Sequence, residues 1–363
     1  MRPNQEGFIM PEIKQKTCID CGLCAKRCPQ NSTERLLHST GQTIAARLKD
    51  DTILYKSASG GAFAGIALHA LRDGWVVFGV VYDENLKAHH TKAESVEELQ
   101  AMLSSKYVQS DTEHTYSEVK RLLKEGHKVV YSGTACQIGG LRSFLGKMSC
   151  DNLLTIDLIC HGVASPLLFS KYIETLKQKH HVDSIEEYDF RDKCGGWGLG
   201  YKYKYKYKYK YASCTTDPYY MYFLKGYTYR ECCYRCHYAS TQRAGDITIA
   251  DFWGIEKEHP EFFDVRGVSL VLINTPRGKT VWQEVASSFE WIESDIEKAA
   301  RYNGNLKHPT VRMDSVRDNV YKEINILPAD EYFRKHLPYK TPLKAKIKAM
   351  IPMKLQVWMK KNL

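Results

Sequence analysis

The chain has 363 residues, 43% hydrophobic and 26% charged, enough to bury one large core or two smaller ones. No stretch reaches the roughly 20 apolar residues of a membrane-crossing helix, and the opening MRPNQEGFIMPEI lacks the apolar centre of a secretion signal; a cytoplasmic protein is expected, in which 12 cysteines serve metal or redox chemistry rather than disulfides. The net charge of +10 is local: residues 201–211 carry five Lys and residues 340–363 seven, neither with an acid, and the near-neutral remainder argues against nucleic acid as a partner.

Residues 1–35 read as a small ferredoxin-like head. Cys18, Cys21, Cys24 and Cys28 in CIDCGLCAKRCP have the C-x2-C-x2-C-x3-C-P spacing with which a tight loop turns three thiolates toward one [4Fe–4S] cluster, a stronger reading than zinc. In two-cluster modules the fourth cysteine serves the other cluster, yet only one such run is present, preceded by EGFIMPEIKQKT, which looks like the link between two runs. Either Cys28 completes a single cluster, or the chain starts midway through a two-cluster module.

Residues 31–52 read as a polar connector. An α/β body follows, divided into 50–130 and 131–330. GGAFAGIALHALRDG has helical spacing and WVVFGVVY (75–82) reads as a buried strand. A helix at 116–125, the strand HKVVYSG (127–133), the helix CQIGGLRSFLG (136–146) and the strand LLTIDLIC (153–160) continue the alternation. SLVLINT (269–275) adds a strand before the helix KTVWQEVASSF. Short links between strand, helix and strand predict a parallel or mixed sheet with flanking helices, and function at strand C-termini, where the GTAC and ICHG turns fall.

The repeat YKYKYKYKYKY (201–211) fits a strand with Tyr on one face and Lys on the other: a solvated hairpin edge guarded by Lys, or an anion-binding surface. Residues 335–363 form a basic tail. Leu343, Ile347, Met350 and Ile351 share a helical face between Pro342 and Pro352. The tail either lies on an anionic membrane surface, giving a peripheral location at its inner face, or packs on its own body.

Cys136, Cys160, Cys233 and Cys236 could meet over the sheet edge as four ligands of a second [4Fe–4S] cluster. Spacing alone does not choose between this and inert core cysteines. Cys232 is expected to point away from its neighbour.

The segments KSASGGAFAGIALHAL, SSKYVQSD, YSGTACQIGGLRSFLG, LLTIDLICHGVASP, FRDKCGGW, CCYRCHYASTQRAGDITIADFWGIE and GVSLVLINT, in this order, resemble the beta-subunit family of coenzyme F420 hydrogenase/dehydrogenase over roughly residues 8–280. The resemblance implies a flavin-binding body with one or two 4Fe-4S clusters and FAD. It sets FAD against Ser57, Ser59, Gly60 and Gly61, with Ser105, Lys106, Tyr107 and Ser110 toward the pyrophosphate; helix capping is the plainer reading of Ser59. His161 is a candidate proton donor, while Asp246 and Asp251 could orient substrate or Arg243.

The function expected is an oxidoreductase passing electrons from a ferredoxin-like or deazaflavin donor to a small-molecule substrate, in a polysaccharide-synthesis context. The alternative is a non-enzymatic electron-transfer subunit or a scaffold. A homo-oligomer is left open.

Overall fold

The computed structural model describes residues 1–31 and 37–362; residues 32–36, from the connector and the end of the expected head, lie outside them. Strands β1 (Arg2–Pro3) and β2 (Ile9–Met10) form a short antiparallel ladder. The main sheet comprises β3 (Gln42–Leu48), β4 (Val76–Tyr82), β5 (Ala88–Ala93), β6 (Val129–Thr134), β7 (Leu153–Leu158), β11 (Ile247–Asp251), β12 (Ser269–Ile273) and β13 (Phe289–Ser294). Its order is β13-β3-β12-β11-β7-β6-β4-β5. The four central strands β11, β7, β6 and β4 are parallel and the flanking ones antiparallel, so the sheet is mixed.

Both faces of this sheet are covered, and for that reason its strands read as continuous apolar runs. Val77, Val130 and Ile156 face the helices Ala62–Arg72 and Pro276–Val285. Their neighbours Val76, Phe78, Val129, Tyr131 and Leu153 face the helices Thr115–Lys124 and Ala135–Leu145.

The stretch read as a connector contains β3, an interior strand. Its centre is Ala45 and Ala46, both fully buried. The loop after Lys56 lies directly on this strand at Gly60, where a Cβ would stand 2.2 Å from the Ala46 carbonyl oxygen, and the two alanines interrupt the β-branched run that usually announces a strand.

A second core is aromatic. The helices Pro166–His180, Pro218–Leu224 and Ala329–His336 gather Phe169, Tyr172, Tyr188, Phe190, Tyr219, Tyr220, Phe223 and Phe333. They pack beneath a three-stranded sheet of β8 (Glu187–Asp189), β9 (Gly200–Tyr205) and β10 (Lys208–Ser213), ordered β10-β9-β8. The Tyr-Lys repeat is the β9–β10 hairpin, and it is not simply a solvated edge with Tyr on one face. Its two-residue turn at Lys206 and Tyr207, with φ of 44° and 64°, pairs Tyr with Lys at four positions, Tyr205 with Lys208, Lys204 with Tyr209, Tyr203 with Lys210 and Lys202 with Tyr211, and Tyr201 with Ala212. Each face therefore mixes both residue types. Tyr201 and Tyr203 are buried in the aromatic core while Tyr207 is 91% exposed.

The N-terminal segment is tied to the body. Phe8 is buried in the aromatic core, Glu6 accepts two 2.8 Å bonds from buried Arg317, and the Gln109 amide bonds both the N–H and the carbonyl of Ile9 at 2.8 and 3.0 Å. The tail forms two helices, Leu343–Met350 and Met353–Asn362. Among the described residues no helix is long and apolar enough to cross a membrane.

Candidate functional site

The C-terminal ends of β6, β7 and β11 form one edge of the sheet. Cys136 follows β6 in the first turn of the helix Ala135–Leu145, and Cys160 follows β7. Cys232 and Cys233 sit in the short 3-10 turn Glu231–Arg235, which Cys236 ends. Three backbone features bring that distant turn to the edge. The Arg230 N–H bonds the Val163 carbonyl at 3.0 Å, and Gly162 leaves room for the Tyr229 ring, 2.4 Å from where a Cβ would stand. Buried Arg243 ties the loop after Cys236 to the end of β7 by donating to the carbonyls of Tyr238, Ser240 and Leu158 and to the Asp157 carboxylate.

Cys136, Cys160, Cys233 and Cys236 thereby come within electrostatic reach of one another. Cys232, expected to point away from its neighbour, is a free thiol close enough to free Cys233 for the two to influence each other's protonation. In a 3-10 turn successive side chains are about 120° apart rather than opposed, so adjacent cysteines can share a side. Among the described residues no three His, Cys, Asp or Glu side chains stand in metal-coordinating geometry.

Burial holds most of these thiols neutral: Cys136 is pushed up to about 11 and Cys160 to about 12. Both remain solvent-accessible in part, and a group that is accessible yet densely surrounded lies in a cleft. Several partly buried thiols in one cleft fit a thiolate-bound iron–sulfur group, whose positive irons would offset the cost of deprotonation.

The cleft continues through His161, which is solvent-exposed but held below the usual imidazole value by burial, with Arg191 adding to the effect and Asp251 opposing it. Arg191 is the hub. It makes two bonds of 2.6 and 2.7 Å to Asp251, one of 3.1 Å to the Tyr107 hydroxyl and one of 3.0 Å to the Ala58 carbonyl. Trp197 donates to Asp251 at 2.7 Å and stacks flat on Trp253. Lys193 donates to the Leu54 and Ser59 carbonyls, and burial lowers it to about 7, with Arg191 acting in the same direction.

The residues assigned to flavin by resemblance border this cleft but already have local partners. Ser57 donates to the Ile53 carbonyl and Ser59 to that of Val268. Gly61, with φ +79°, is the residue preceding the helix Ala62–Arg72, in the capping position expected of Ser59. The Lys106 ammonium is turned onto the carbonyls of Ala101 and Leu103 at 3.0 and 3.1 Å, and burial lowers it to about 8. Ser105 is half-buried beside it. Tyr107 stacks on Phe223, and Ser110 bonds His90 and Gln137. Glycine-rich backbone and stacked indoles fit an aromatic group such as a flavin, with Lys106, Lys193 and Arg191 nearby each bonded to protein oxygens.

Arg191, Lys193 and Asp157 were not singled out in the sequence. The first two lie in FRDKCGGW, and Asp157 is the one charge in the buried strand LLTIDL, which is the signal that could have found it. Asp246 does not orient Arg243; it bonds Thr155, Thr275 and Arg142, and Asp157 takes the Arg243 role.

Cys18, Cys21 and Cys24 are exposed and Cys28 half-buried. Cys18, Cys21 and Cys28 flank the short helix Leu23–Arg27, which contains Cys24 and is entered through left-handed Gly22. This segment rests on the helix that begins with Cys136 and its neighbour: Arg27 donates to the Ser143 carbonyl at 2.6 Å and the Tyr238 hydroxyl to that of Pro29 at 3.3 Å. Tyr238 belongs to the apolar cluster against which Cys136 and Cys236 pack, and its hydroxyl bonds the residue after Cys28, so it links the two cysteine groups.

No curated protein matches the chain. Among solved structures, the chain is similar to one in a xenon derivative of the F420-reducing [NiFe] hydrogenase complex from Methanosarcina barkeri, at 18% identity and TM-score 0.49, covering 83% of this chain and 91% of that one. Residues 43–115 match the N-terminal part, and residues 126–298 the C-terminal part, of the family described as coenzyme F420 hydrogenase/dehydrogenase, beta subunit. With both parts present in order, the chain belongs to the coenzyme F420 hydrogenase/dehydrogenase beta-subunit family.

Proposed function

We propose that the protein is a cytoplasmic iron–sulfur flavoprotein oxidoreductase that takes electrons from a ferredoxin-like protein or a deazaflavin and delivers them to a small-molecule substrate. The observation that carries this reading is the convergence of Cys136, Cys160, Cys232, Cys233 and Cys236 beside the cleft of His161, Arg191 and Asp251. Family membership supports the oxidoreductase class. The resemblance in sequence suggests a sugar-linked or lipid-linked substrate of polysaccharide synthesis.

Cys136, Cys160, Cys233 and Cys236 would hold one 4Fe-4S cluster, with Cys232 as a competing fifth thiol, and Cys18, Cys21, Cys24 and Cys28 another. Ser57, Ser59, Gly60, Gly61, Ser105, Lys106, Tyr107 and Ser110 would border FAD. Bound flavin would supply the junction between one-electron and two-electron chemistry. Arg191 fixes the Ala58 carbonyl and Tyr107 relative to Asp251. His161, exposed beside Cys160, would be the proton donor to the substrate.

A non-enzymatic electron-transfer subunit or scaffold is the second reading, favoured by the exposure of Cys18, Cys21 and Cys24, which suits handover to a partner. Anaerobic purification followed by iron, sulfide and flavin assays separates the two. Iron with flavin, and a broad absorption near roughly 400 nm from cysteine-bound iron, supports the enzyme. Iron without flavin supports an electron-transfer subunit, and the absence of both rejects the enzyme and leaves the scaffold.

A further inference from the structure

The positive charge of the chain resides in two segments distant in sequence, and the fold brings them to the same side of the molecule. The tail leaves the body at Tyr339, whose hydroxyl donates to the Thr215 carbonyl, two residues beyond the end of β10. The helix Leu343–Met350 then packs against the 3-10 turn Cys214–Thr216. Farther on, Val357 of the last helix lines a cavity of about 320 Å³ together with Tyr211 of β10 and with Tyr55, Asp192 and Lys193. Gln356 ties the two tail helices by donating to the carbonyls of Lys348 and Ile351. The tail is thus a docked element lying along the hairpin.

Its apolar stripe is not spent on that docking. Leu343, Ile347 and Met350, spaced i, i+4, i+7, are 73%, 55% and 82% exposed. Lys344, Lys346 and Lys348 lie exposed between them. On the hairpin, Lys202 and Lys204 are matched by Asp192, Glu186 and Glu187, whereas Lys208 and Lys210 on β10 are exposed and Tyr207 caps the tip. Trp358 on the last helix is 57% exposed.

Exposed Leu, Ile and Met alternating with Lys, edged by Tyr and Trp, is the chemistry of a surface that lies in the headgroup layer of a bilayer. A second copy of the chain would set lysines against lysines. We infer that β10 and the two tail helices form one basic face that docks on an anionic lipid bilayer.

The test is sedimentation of the full chain with vesicles of phosphatidylcholine alone or mixed with phosphatidylglycerol. Each Lys near an anionic surface contributes about fivefold to partitioning. Replacing Lys344, Lys346 and Lys348 together by Ser is expected to weaken binding on the order of a hundredfold, and Lys208→Ser with Lys210→Ser about twenty-fivefold. Leu343→Ser with Ile347→Ser and Met350→Ser should abolish it. An unchanged thermal transition in each variant excludes unfolding as the cause. Salt at about 1 M, where the screening length falls to about 3 Å, should release the wild-type chain. Equal binding to both vesicle types overturns the inference, as does a dimer in light scattering that the Leu343→Ser set dissociates without any vesicle binding. If the tail substitutions act and the hairpin pair has no effect, the shared face is rejected.

Discussion

The two cysteine groups differ in how they are specified. Cys18, Cys21, Cys24 and Cys28 occupy eleven consecutive residues on an exposed turn whose contacts with the body include Arg27 to Ser143 and Tyr238 to Pro29. Cys136, Cys160, Cys232, Cys233 and Cys236 come from three segments and meet only because β6, β7 and the Glu231–Arg235 turn are fixed by the sheet and by buried Arg243. The first grouping is written in spacing; the second is a product of the fold. A locally written site can be lost without harm to the body, whereas a fold-assembled one stands or falls with its packing.

The largest effect expected is on iron. Cys160→Ser should remove the iron of the body site and leave that of the head, and Cys21→Ser should do the reverse, as read by iron analysis and the spin signals of the reduced protein. Loss of all iron in either single variant would break the distinction between the groups.

Stability should sharpen it. Asp157→Asn strands the buried Arg243 guanidinium and is expected to cost about 3–5 kcal/mol in chemical denaturation, because Asp157 and Arg243 are 0% and 1% exposed at their side chains. Arg27→Ala, which removes one hydrogen bond at the head, should cost about 1 kcal/mol.

A pH dependence should follow from the body alone. Lys193 is lowered to about 7 by burial and by Arg191, against the pull of Asp251, Asp264 and Asp189. Between that value and the ordinary Lys value near 10.4 the unfolded chain binds more protons than the folded one, so stability rises with pH across the window. Lys106, lowered to about 8, adds in the same direction. In thermal melts from pH 7 to pH 10, Lys193→Met should flatten the rise, and an unchanged slope would assign the effect elsewhere.

The smallest effect is expected at Cys232→Ser, which should leave body iron nearly unchanged if the fifth thiol is dispensable. Loss equal to that of Cys233→Ser would make Cys232 a ligand.

What the sequence disclosed follows the same division. The strands VVFGVVY, LLTIDL and SLVLI were legible because apolar runs are local signals. Strand β3 was not, since QTIAARL places alanines where the loop through Gly60 crosses it. Nor was the pairing of Arg243 with Asp157 rather than Asp246, because both carboxylates lie near it once the sheet forms and only geometry selects one. The position of Cys232 depended on a 3-10 turn that five residues of sequence do not announce.

The Tyr-Lys hairpin carries one more implication, for variation in length. A repeat of period two is superimposable on itself after a two-residue slip, so burial of a Tyr face selects the face but not the register. Here the register rests on the packing of Tyr201 and Tyr203 against Tyr188 and on the turn at Lys206 and Tyr207, whose left-handed φ values are costly for side chains of this size. Inserting or deleting one Tyr-Lys unit would move the turn by one position and still set Tyr opposite Lys beside it. The ribbon can therefore grow or shrink in whole units without exchanging its faces, and this edge is where chains of otherwise similar sequence should differ in length.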